Sequence, residues 1–117
     1  MKGLNNVQKG KLGEKIANKY LLSKGFKILD KNYKTRYGEI DLIAQKKEKI
    51  TFVEVKLRSN LNYGYPCEAV NFKKQNKIRN VATEYINKNK LENLEYSFDV
   101  IEVYLKDKKI NHIKNAF

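Results

Sequence analysis

The sequence predicts an α/β domain in which helices flank a mixed central sheet. Two segments carry apolar residues at helical spacing, and several others alternate apolar and polar residues as strands do. These segments follow one another in the order helix, three strands, helix, and one or two strands. Because 117 residues are enough for one hydrophobic core and few for two, residues 1–117 are predicted to form a single domain.

The first helix is predicted over residues 7–22. Its apolar side chains recur at helical spacing, at Leu12, Ile16, Ala17, Tyr20 and Leu21. Gly25 supplies a natural stop. Gly10 and Gly13 fall within the apolar arc, where each glycine costs about 1 kcal/mol relative to alanine. We therefore expect the helix backbone to approach the sheet closely at both glycines.

Three strand-like segments follow the first helix. Residues 26–33 read as an extended segment that ends at the turn-prone residues 36–38. Residues 39–45 and 50–57 alternate as strands and are joined by the charged stretch 46–49. Two alternating runs with so short a connection predict a β-hairpin.

The second half of the chain predicts a loop, a helix and closing strands. Residues 58–66 contain Asn, Gly, Tyr and the only proline, which suits a loop beside a site. Asn71 can cap a second helix that runs to about Lys90. The apolar stripe of this helix is Ile78, Val81, Ala82, Tyr85 and Ile86. Residues 97–105 and 110–113 are predicted to close the sheet.

The hairpin places charged residues on one face, because alternate residues of a strand point to opposite sides. On the second strand of the hairpin, Val53, Val55 and Leu57 share one face, and Phe52, Glu54, Lys56 and Arg58 share the other. On the first strand, Glu39 and Asp41 lie opposite the face of Ile40, Leu42 and Ala44. The sequence thus predicts one apolar face and one charged face.

The register of the hairpin brings two acids together. An even-length turn centred between Lys47 and Glu48 pairs Gln45 with Ile50, Asp41 with Glu54, and Glu39 with Lys56. Directly opposed side chains have Cβ atoms about 4.5 to 5.5 Å apart. Two partly shielded carboxylates at that separation repel each other, and a cation would relieve the repulsion. Carboxylate oxygens suit hard divalent ions, so we predict a Mg²⁺ or Mn²⁺ site.

Lys56 lies two residues from Glu54 on the same face. There it can orient or help to deprotonate an attacking water, or offset charge in the transition state. The alternative is an outer, solvated face in which Glu39 and Lys56 form a cross-strand ion pair, since exposed antiparallel hairpins alternate in the same way.

Both helices offer further candidate residues. Glu14 lies at the edge of the apolar arc of the first helix, so it can lean over the sheet as a third carboxylate; the alternative is a favourable acid in an early helical turn. Lys74 and Gln75 occupy the leading end of the apolar stripe of the second helix. They can contact phosphate or support the site, although Lys74 can also extend outward to solvent.

Charge and cysteine content narrow the function classes. Lys and Arg number 25 against 13 Asp and Glu, giving a formal net charge of +12, which favours a nucleic-acid partner over a membrane. Cys67 is the only cysteine, so the chain has no internal disulfide or zinc spacing, and we treat this thiol as inert. Residues 1–25 lack a signal-peptide core, which predicts a cytoplasmic protein. His112 is interpreted as a structural or surface residue. Asp99 is interpreted as a residue that caps or pairs locally, with membership of the acidic group as the alternative.

The motifs GEIDLIA at residues 38–44 and FVEVKLR at residues 52–58 resemble the YraN-like family, an uncharacterised protein family. The resemblance extends over nearly the whole chain, including GKLGEKIANKYLLSKGFKIL, GYPCEAVNFKKQNKIRNVATEYI and FDVIEVYLKDKKINHIKNAF. It implies the restriction-endonuclease-like fold, shared with Holliday-junction resolvases of the archaeal type.

In that superfamily an Asp on one strand and a Glu-x-Lys on the next form the metal and catalytic site. The resemblance carries these roles to Asp41, Glu54 and Lys56. It also implies that the main-chain carbonyl of Val55 is a metal ligand and that Glu14 matches a recurrent acid of the first helix. The sequence matches the expected residue type at each of these positions.

The leading hypothesis is therefore a metal-dependent endonuclease that hydrolyses phosphodiester bonds in DNA. Arg36, Arg58 and Lys74 would grip backbone phosphates. The chain has no base-reading motif, so recognition by shape favours branched or single-stranded DNA.

The alternative is a non-catalytic nucleic-acid-binding or scaffolding module, since a fold does not fix a function. A third reading is a subunit that cleaves only beside a helicase or another DNA-processing partner. A homodimer suits symmetric junctions, but no segment of the sequence specifies its interface.

Overall fold

The computed structural model describes residues 3–58 and 71–117. The elements in chain order are α1 (Asn6–Ser23), β1 (Lys27–Thr35), β2 (Gly38–Lys46), β3 (Lys49–Arg58), α2 (Phe72–Lys88), β4 (Glu95–Tyr104) and β5 (Lys109–Ile113). The predicted α/β class and element order are confirmed, with two closing strands. The predicted loop at residues 58–66 lies outside the described residues beyond Arg58, as does Cys67.

The five strands form one mixed sheet in the order β1-β2-β3-β4-β5. β3 and β4 are parallel, and the other neighbouring pairs are antiparallel. α2 lies between β3 and β4 in the chain and provides the long connection that two parallel strands require. The sheet is therefore mixed, as predicted.

Capping side chains fix where both helices begin. Asn5 accepts a hydrogen bond from the Gln8 main-chain N–H, and the Gln8 side chain accepts one from the Asn5 N–H, forming a capping box. Asn71 accepts from the Lys74 N–H and caps α2, as the sequence predicts. α2 ends at Lys88, two residues before the predicted end. No helix in the described ranges is long and apolar enough to cross a membrane.

Each helix covers one face of the sheet. The cluster under α1 contains Ala17, Leu21, Leu42, Ala44, Val53, Ile101 and Val103. The cluster under α2 contains Ile40, Ile43, Ile50, Phe52, Ile78, Val81, Ala82, Tyr85 and Val100. The charged face predicted for the hairpin is therefore not an outer surface, because α2 packs on it.

One detail of the packing corrects the sequence prediction for β2. Ile40 packs with Ile43 under α2, whereas the alternation placed it with Leu42 and Ala44 under α1. The main-chain pairing of β2 and β3 ends at Leu42. Before that residue only β1 constrains the twist of β2, so the alternation breaks there.

The two glycines of α1 differ. An ideal Cβ on Gly13 would lie 3.5 Å from Leu57 Cβ, so the predicted close approach of the helix to the sheet is confirmed there. Gly10 is exposed, with nothing within 4 Å of an ideal Cβ, so the prediction is wrong for Gly10. Gly10 lies one helical turn too near the N-terminus to reach the sheet.

Gly10→Ala is expected to raise the free energy of unfolding by about 1 kcal/mol, because alanine is the better helix former and the added methyl group meets open space. Gly25→Ala is the contrasting variant. Gly25 has φ of +90° just after α1, where a Cβ costs about 1–2 kcal/mol. Urea unfolding followed by circular dichroism measures both, and effects of equal sign would contradict the argument.

Candidate active site

The candidate site lies where β2 and β3 separate. The last pair in their main-chain register is Leu42 with Val53, so Asp41 and Glu54 are the next residues in the same register. The Val55 N–H donates to Asp41 Oδ2 over 2.8 Å. The Asp41 carboxylate thus lies in the gap between the strands, where it satisfies an N–H that the ladder leaves open.

Glu54 lies on the other side of this gap, under the first turn of α2. It is only 8% exposed, and its Oε2 lies 3.4 Å from Lys74 Nζ. This burial contradicts the alternative in which the charged face is solvated. The predicted Glu39–Lys56 pair is also wrong, because Glu39 lies opposite Lys34 of β1 after β2 has left β3.

The carboxyl groups of Asp41 and Glu54 are close enough to share a hydrogen bond. Burial, the charge of Glu54 and that shared hydrogen bond raise the pKa of Asp41 to about 7. The Val55 N–H opposes this rise because it stabilises the carboxylate. The predicted juxtaposition of two acids is therefore confirmed.

Glu14 brings a third carboxyl group from α1. Burial raises the pKa of Glu14, the hydrogen bond from Asn32 Nδ2 to Glu14 Oε1 (2.9 Å) opposes the rise, and the charges of Asp41 and Glu39 add to it. Glu14 also lies within hydrogen-bonding reach of Asp41. It leans over the sheet, as one of the two sequence readings predicted. We call Glu14, Asp41 and Glu54 the acidic cluster.

Two lysines face the acidic cluster. Burial and contact with Lys74 lower the pKa of Lys56, although the charge of Glu54 opposes this. Burial alone would lower the pKa of Lys74, but the charge of Glu54 and contact with Lys56 outweigh it and raise the pKa. Of the two ammonium groups, Lys56 therefore loses its proton more readily. This difference in pKa suits Lys56 to exchange a proton and Lys74 to remain a fixed cation.

The candidate metal ligands of the site are oxygen atoms, the donors that hard cations take. Across residues 3–58 and 71–117, no group of three or more His, Cys, Asp or Glu side chains is arranged to hold a metal ion. Asp41, Glu54 and the carbonyl of Val55 would be the ligands of Mg²⁺ or Mn²⁺, since Mg²⁺ commonly takes one or two carboxylates and fills its remaining positions with water and substrate phosphate. A cation also relieves the repulsion that raises the pKa of Asp41.

The four residues predicted to bind nucleic acid lie in different parts of the structure. Lys74 and Gln75 lie half-buried in the first turn of α2, with Lys74 in the site. Arg58 ends β3 two residues beyond Lys56, and its Nε lies 3.3 Å from Glu102 Oε2. Arg36 lies apart on the β1–β2 turn.

The Arg36 guanidinium donates to Tyr37 Oη over 2.9 Å and lies 4.0 Å from Glu84 of α2. These contacts point it along α2 and not into the acidic cluster. The phosphate contacts of Arg36, Arg58, Lys74 and Gln75 stay predictions.

A buried polar network beside the site escaped the sequence analysis. Glu102 of β4 is 0% exposed and lies opposite Lys56 in the β3–β4 register. Its carboxylate contacts Arg58 and accepts hydrogen bonds from Asn111 Nδ2 (2.9 Å) and Tyr104 Oη (3.2 Å). The only signal in the sequence was a lone acid inside the apolar run of β4.

A second polar group lies between α1 and β5, with Asp99 opposite Val53 in the β3–β4 register. His112 Nε2 lies 2.7 Å from Asp99 Oδ2, and Tyr20 Oη lies 3.1 Å from His112 Nδ1. The Asn115 N–H donates to Asp99 Oδ1 over 3.0 Å. Thirteen residues separate Asp99 from His112, so only the antiparallel pairing of β4 with β5 reveals the pair.

Comparisons with known proteins agree on one family. The model of the uncharacterised protein family UPF0102 matches residues 13–103. A UPF0102 protein of Clostridioides difficile is 61% identical over 114 residues, covering 97% of this chain and 100% of that protein. One from Caldanaerobacter subterraneus is 51% identical over 122 residues, covering 100% of both chains, and one from Alkaliphilus metalliredigens is 50% identical over 109 residues, covering 92% and 96%.

Proposed function

This chain belongs to the uncharacterised protein family UPF0102, and from the geometry of its site we propose that it is a divalent-metal-dependent endonuclease that hydrolyses phosphodiester bonds in DNA. The observation that carries the proposal is the pairing of Asp41 with Glu54 in the gap between β2 and β3, faced by Lys56 and Lys74. Perturbed pKa values cluster at functional sites, and a metal ion held by such acids can assist hydrolysis.

Asp41, Glu54 and the main-chain carbonyl of Val55 would hold the metal ion, with Glu14 beside Asp41. When bound, Mg²⁺ or Mn²⁺ supplies positive charge that stabilises the transition state and increases the acidity of water. The Val55 N–H bond to Asp41 Oδ2 fixes one carboxylate, and Lys74 fixes the other. The strands thus orient both groups before the substrate arrives, which reduces the cost of assembling the site.

Lys56 is the residue proposed to handle the proton. A water oxygen attacks the phosphorus, the bond from phosphorus to one ester oxygen breaks, and the proton of the water must leave. The lowered pKa of Lys56 makes its neutral amine accessible as an acceptor. Lys74, whose pKa is raised, stays charged and offsets the negative charge that builds up on the phosphate oxygens.

DNA with a branch or a single-stranded segment is the proposed substrate. The formal charge of +12 supports a polyanionic partner. Arg58 and Lys74 flank the acidic cluster with groups suited to phosphate, which positions a backbone without reading its bases. Recognition would then depend on the shape and flexibility of the strand.

The second candidate is a nucleic-acid-binding module without catalysis. One observation favours it: Lys74 already lies 3.4 Å from Glu54, so that carboxylate has a cationic partner without any metal ion. The two candidates differ in metal dependence, because only the nuclease requires a divalent ion for turnover. Salt sensitivity cannot separate them, since both bind phosphates.

The test incubates purified protein with linear, flapped, single-stranded and four-way DNA, with Mn²⁺ or with a chelator. We expect Mn²⁺-dependent cleavage of the flapped, the single-stranded or the four-way DNA. DNA binding should persist in the presence of the chelator. Glu54→Gln should reduce cleavage by about a hundredfold or more, because one metal ligand is lost, while binding changes little.

Glu92→Gln is the matched control, because it removes one exposed carboxylate just before β4. Its cleavage rate should equal that of the unmodified protein. Cleavage that survives unchanged in Glu54→Gln would refute the proposed mechanism. Metal-independent binding with no cleavage of any substrate would favour the binding module.

A further inference from the structure

A groove lined by lysines runs on the α1 side of the sheet from the β2–β3 turn towards β5. The groove has a volume of about 1200 Å³. We call it the lysine groove after Lys24, Lys46, Lys49 and Lys114. Lys49 begins β3, five residues before Glu54. At about 3.3 Å per residue, Lys49 is about 17 Å from Glu54 along the strand. The far end of the groove comes closer, because Asp99 is paired with Val53, the neighbour of Glu54.

The charge of the groove favours an anion. Lysines outnumber the acids on its walls, and in the part of the chain that the structure describes no carboxylate lies within 4.0 Å of these ammonium groups. Lys46 Nζ instead donates to the Lys24 carbonyl over 2.7 Å and lies over the Phe26 ring. A concave surface concentrates the potential of such charges and attracts polyanions.

The floor of the groove is built from the half-buried Tyr20 and His112 and the buried Asp99. Asp99 is 3% exposed, and both of its oxygens are engaged, one by His112 and the other by the Asn115 N–H. Its charge therefore faces partners inside the protein. The Tyr20–His112 contact ties α1 to β5 across the floor, so the groove is formed in advance of any ligand.

We propose that the lysine groove binds backbone phosphates of the polynucleotide whose linkage lies at the acidic cluster, a role that rests on the proposed function. The separation of about 17 Å between Lys49 and Glu54 corresponds to about five base pairs at 3.4 Å each. Lys49 would thus contact one arm of the DNA about half a helical turn from the reacting bond. Lysine contacts with phosphate set the orientation of that arm and carry no sequence information.

Lys49→Gln/Lys114→Gln tests the proposal, with Lys88→Gln/Lys90→Gln as the matched control. Lys88 and Lys90 are exposed at the end of α2, on the opposite side of the sheet, so both variants lose two charges. Fluorescence anisotropy measures DNA affinity over a range of salt concentrations, without metal. We expect the groove variant to lose roughly tenfold in affinity, and its slope of log affinity against log salt to fall by about 2.

The Lys88→Gln/Lys90→Gln control should keep the DNA affinity of the unmodified protein to within about twofold. Its slope of log affinity against log salt should stay close to that of the unmodified protein. Free mononucleotide at the same phosphate concentration should not displace the DNA, because only a polymer contacts several lysines at once. Equal losses in the two variants, or displacement by mononucleotide, would overturn the groove proposal and leave the proposed nuclease standing. Absence of salt-sensitive DNA binding by the unmodified protein would overturn both.

Discussion

Asp41→Asn is expected to abolish metal-dependent cleavage and, at the same time, to stabilise the fold at pH 8. Cleavage should fall by roughly a thousandfold or more, because the metal ion contributes several kcal/mol to transition-state stabilisation and each 1.36 kcal/mol is a factor of ten. Asparagine keeps the shape of the side chain, and its Oδ1 can still accept the Val55 N–H. The loss would therefore reflect the missing charge and not a collapsed strand.

The gain in stability follows from the raised pKa of Asp41. Its pKa is about 7 in the folded protein against 3.8 for an unperturbed group. Between these values the folded protein holds a proton that the unfolded chain has released, so stability falls as pH rises from about 4 to about 7. Above that window Asp41 is fully charged, so the penalty for burying its charge and the repulsion with Glu54 both apply in full. Asp41→Asn removes both, which should raise the free energy of unfolding by roughly 2–4 kcal/mol at pH 8.

Urea unfolding in the presence of a chelator at pH 5 and pH 8 measures this effect. The unmodified protein should lose stability between the two pH values, and Asp41→Asn should lose much less. Glu39→Gln is the control, because it removes an exposed carboxylate two residues away on the same strand. That variant should retain both the cleavage and most of the pH dependence. A variant at Asp41 that is less stable than the unmodified protein at pH 8 would contradict the repulsion between the two acids.

The parts of the fold that were predicted correctly are those fixed by local patterns. The apolar spacing of α1 and α2, the Asn71 cap and the short turn after Lys46 each involve residues close together in the chain. The turn fixed the register, and the register brought Asp41 and Glu54 together. For that reason the centre of the candidate site follows from the spacing of residues in the sequence.

The parts that were missed depend on contacts between distant segments. Alternation showed that the face of Glu54 differs from the face of Val53, but it could not show that α2 covers that face. Phe52 on the same face was an unused hint, because an outer face rarely carries a large apolar side chain at its centre. The break at Ile40 arises because β3 leaves β2, and no local pattern in β2 records where its neighbour ends.

Glu102→Ala is expected to cause the largest loss of stability of any substitution considered. The side chain is completely buried, and its two oxygens serve Arg58, Tyr104 and Asn111. Alanine would leave three donors without this acceptor and open a cavity. Breaking a buried ion pair by removing one partner costs about 3–5 kcal/mol, a large fraction of the stability of a small domain.

Urea unfolding of Glu102→Ala, Glu102→Gln and Glu95→Ala separates the contributions. Glu102→Gln keeps the volume and one carbonyl acceptor, so its loss should be about half that of the alanine variant. Glu95 begins the same strand but is exposed, so its replacement by alanine should change the free energy of unfolding by less than about 0.5 kcal/mol. A loss below about 1 kcal/mol in Glu102→Ala would mean that the network does not form in solution.

The same substitutions connect the network to the site. Glu102 lies opposite Lys56 in the parallel register and holds the guanidinium of Arg58, two residues farther along β3. In Glu102→Gln the fold survives, but the charge that orients Arg58 is lost. DNA affinity should then fall to the level of an Arg58→Gln variant, and the double variant should show no further loss, because the two residues act through one contact. Additive losses would indicate that Arg58 reaches phosphate independently of Glu102.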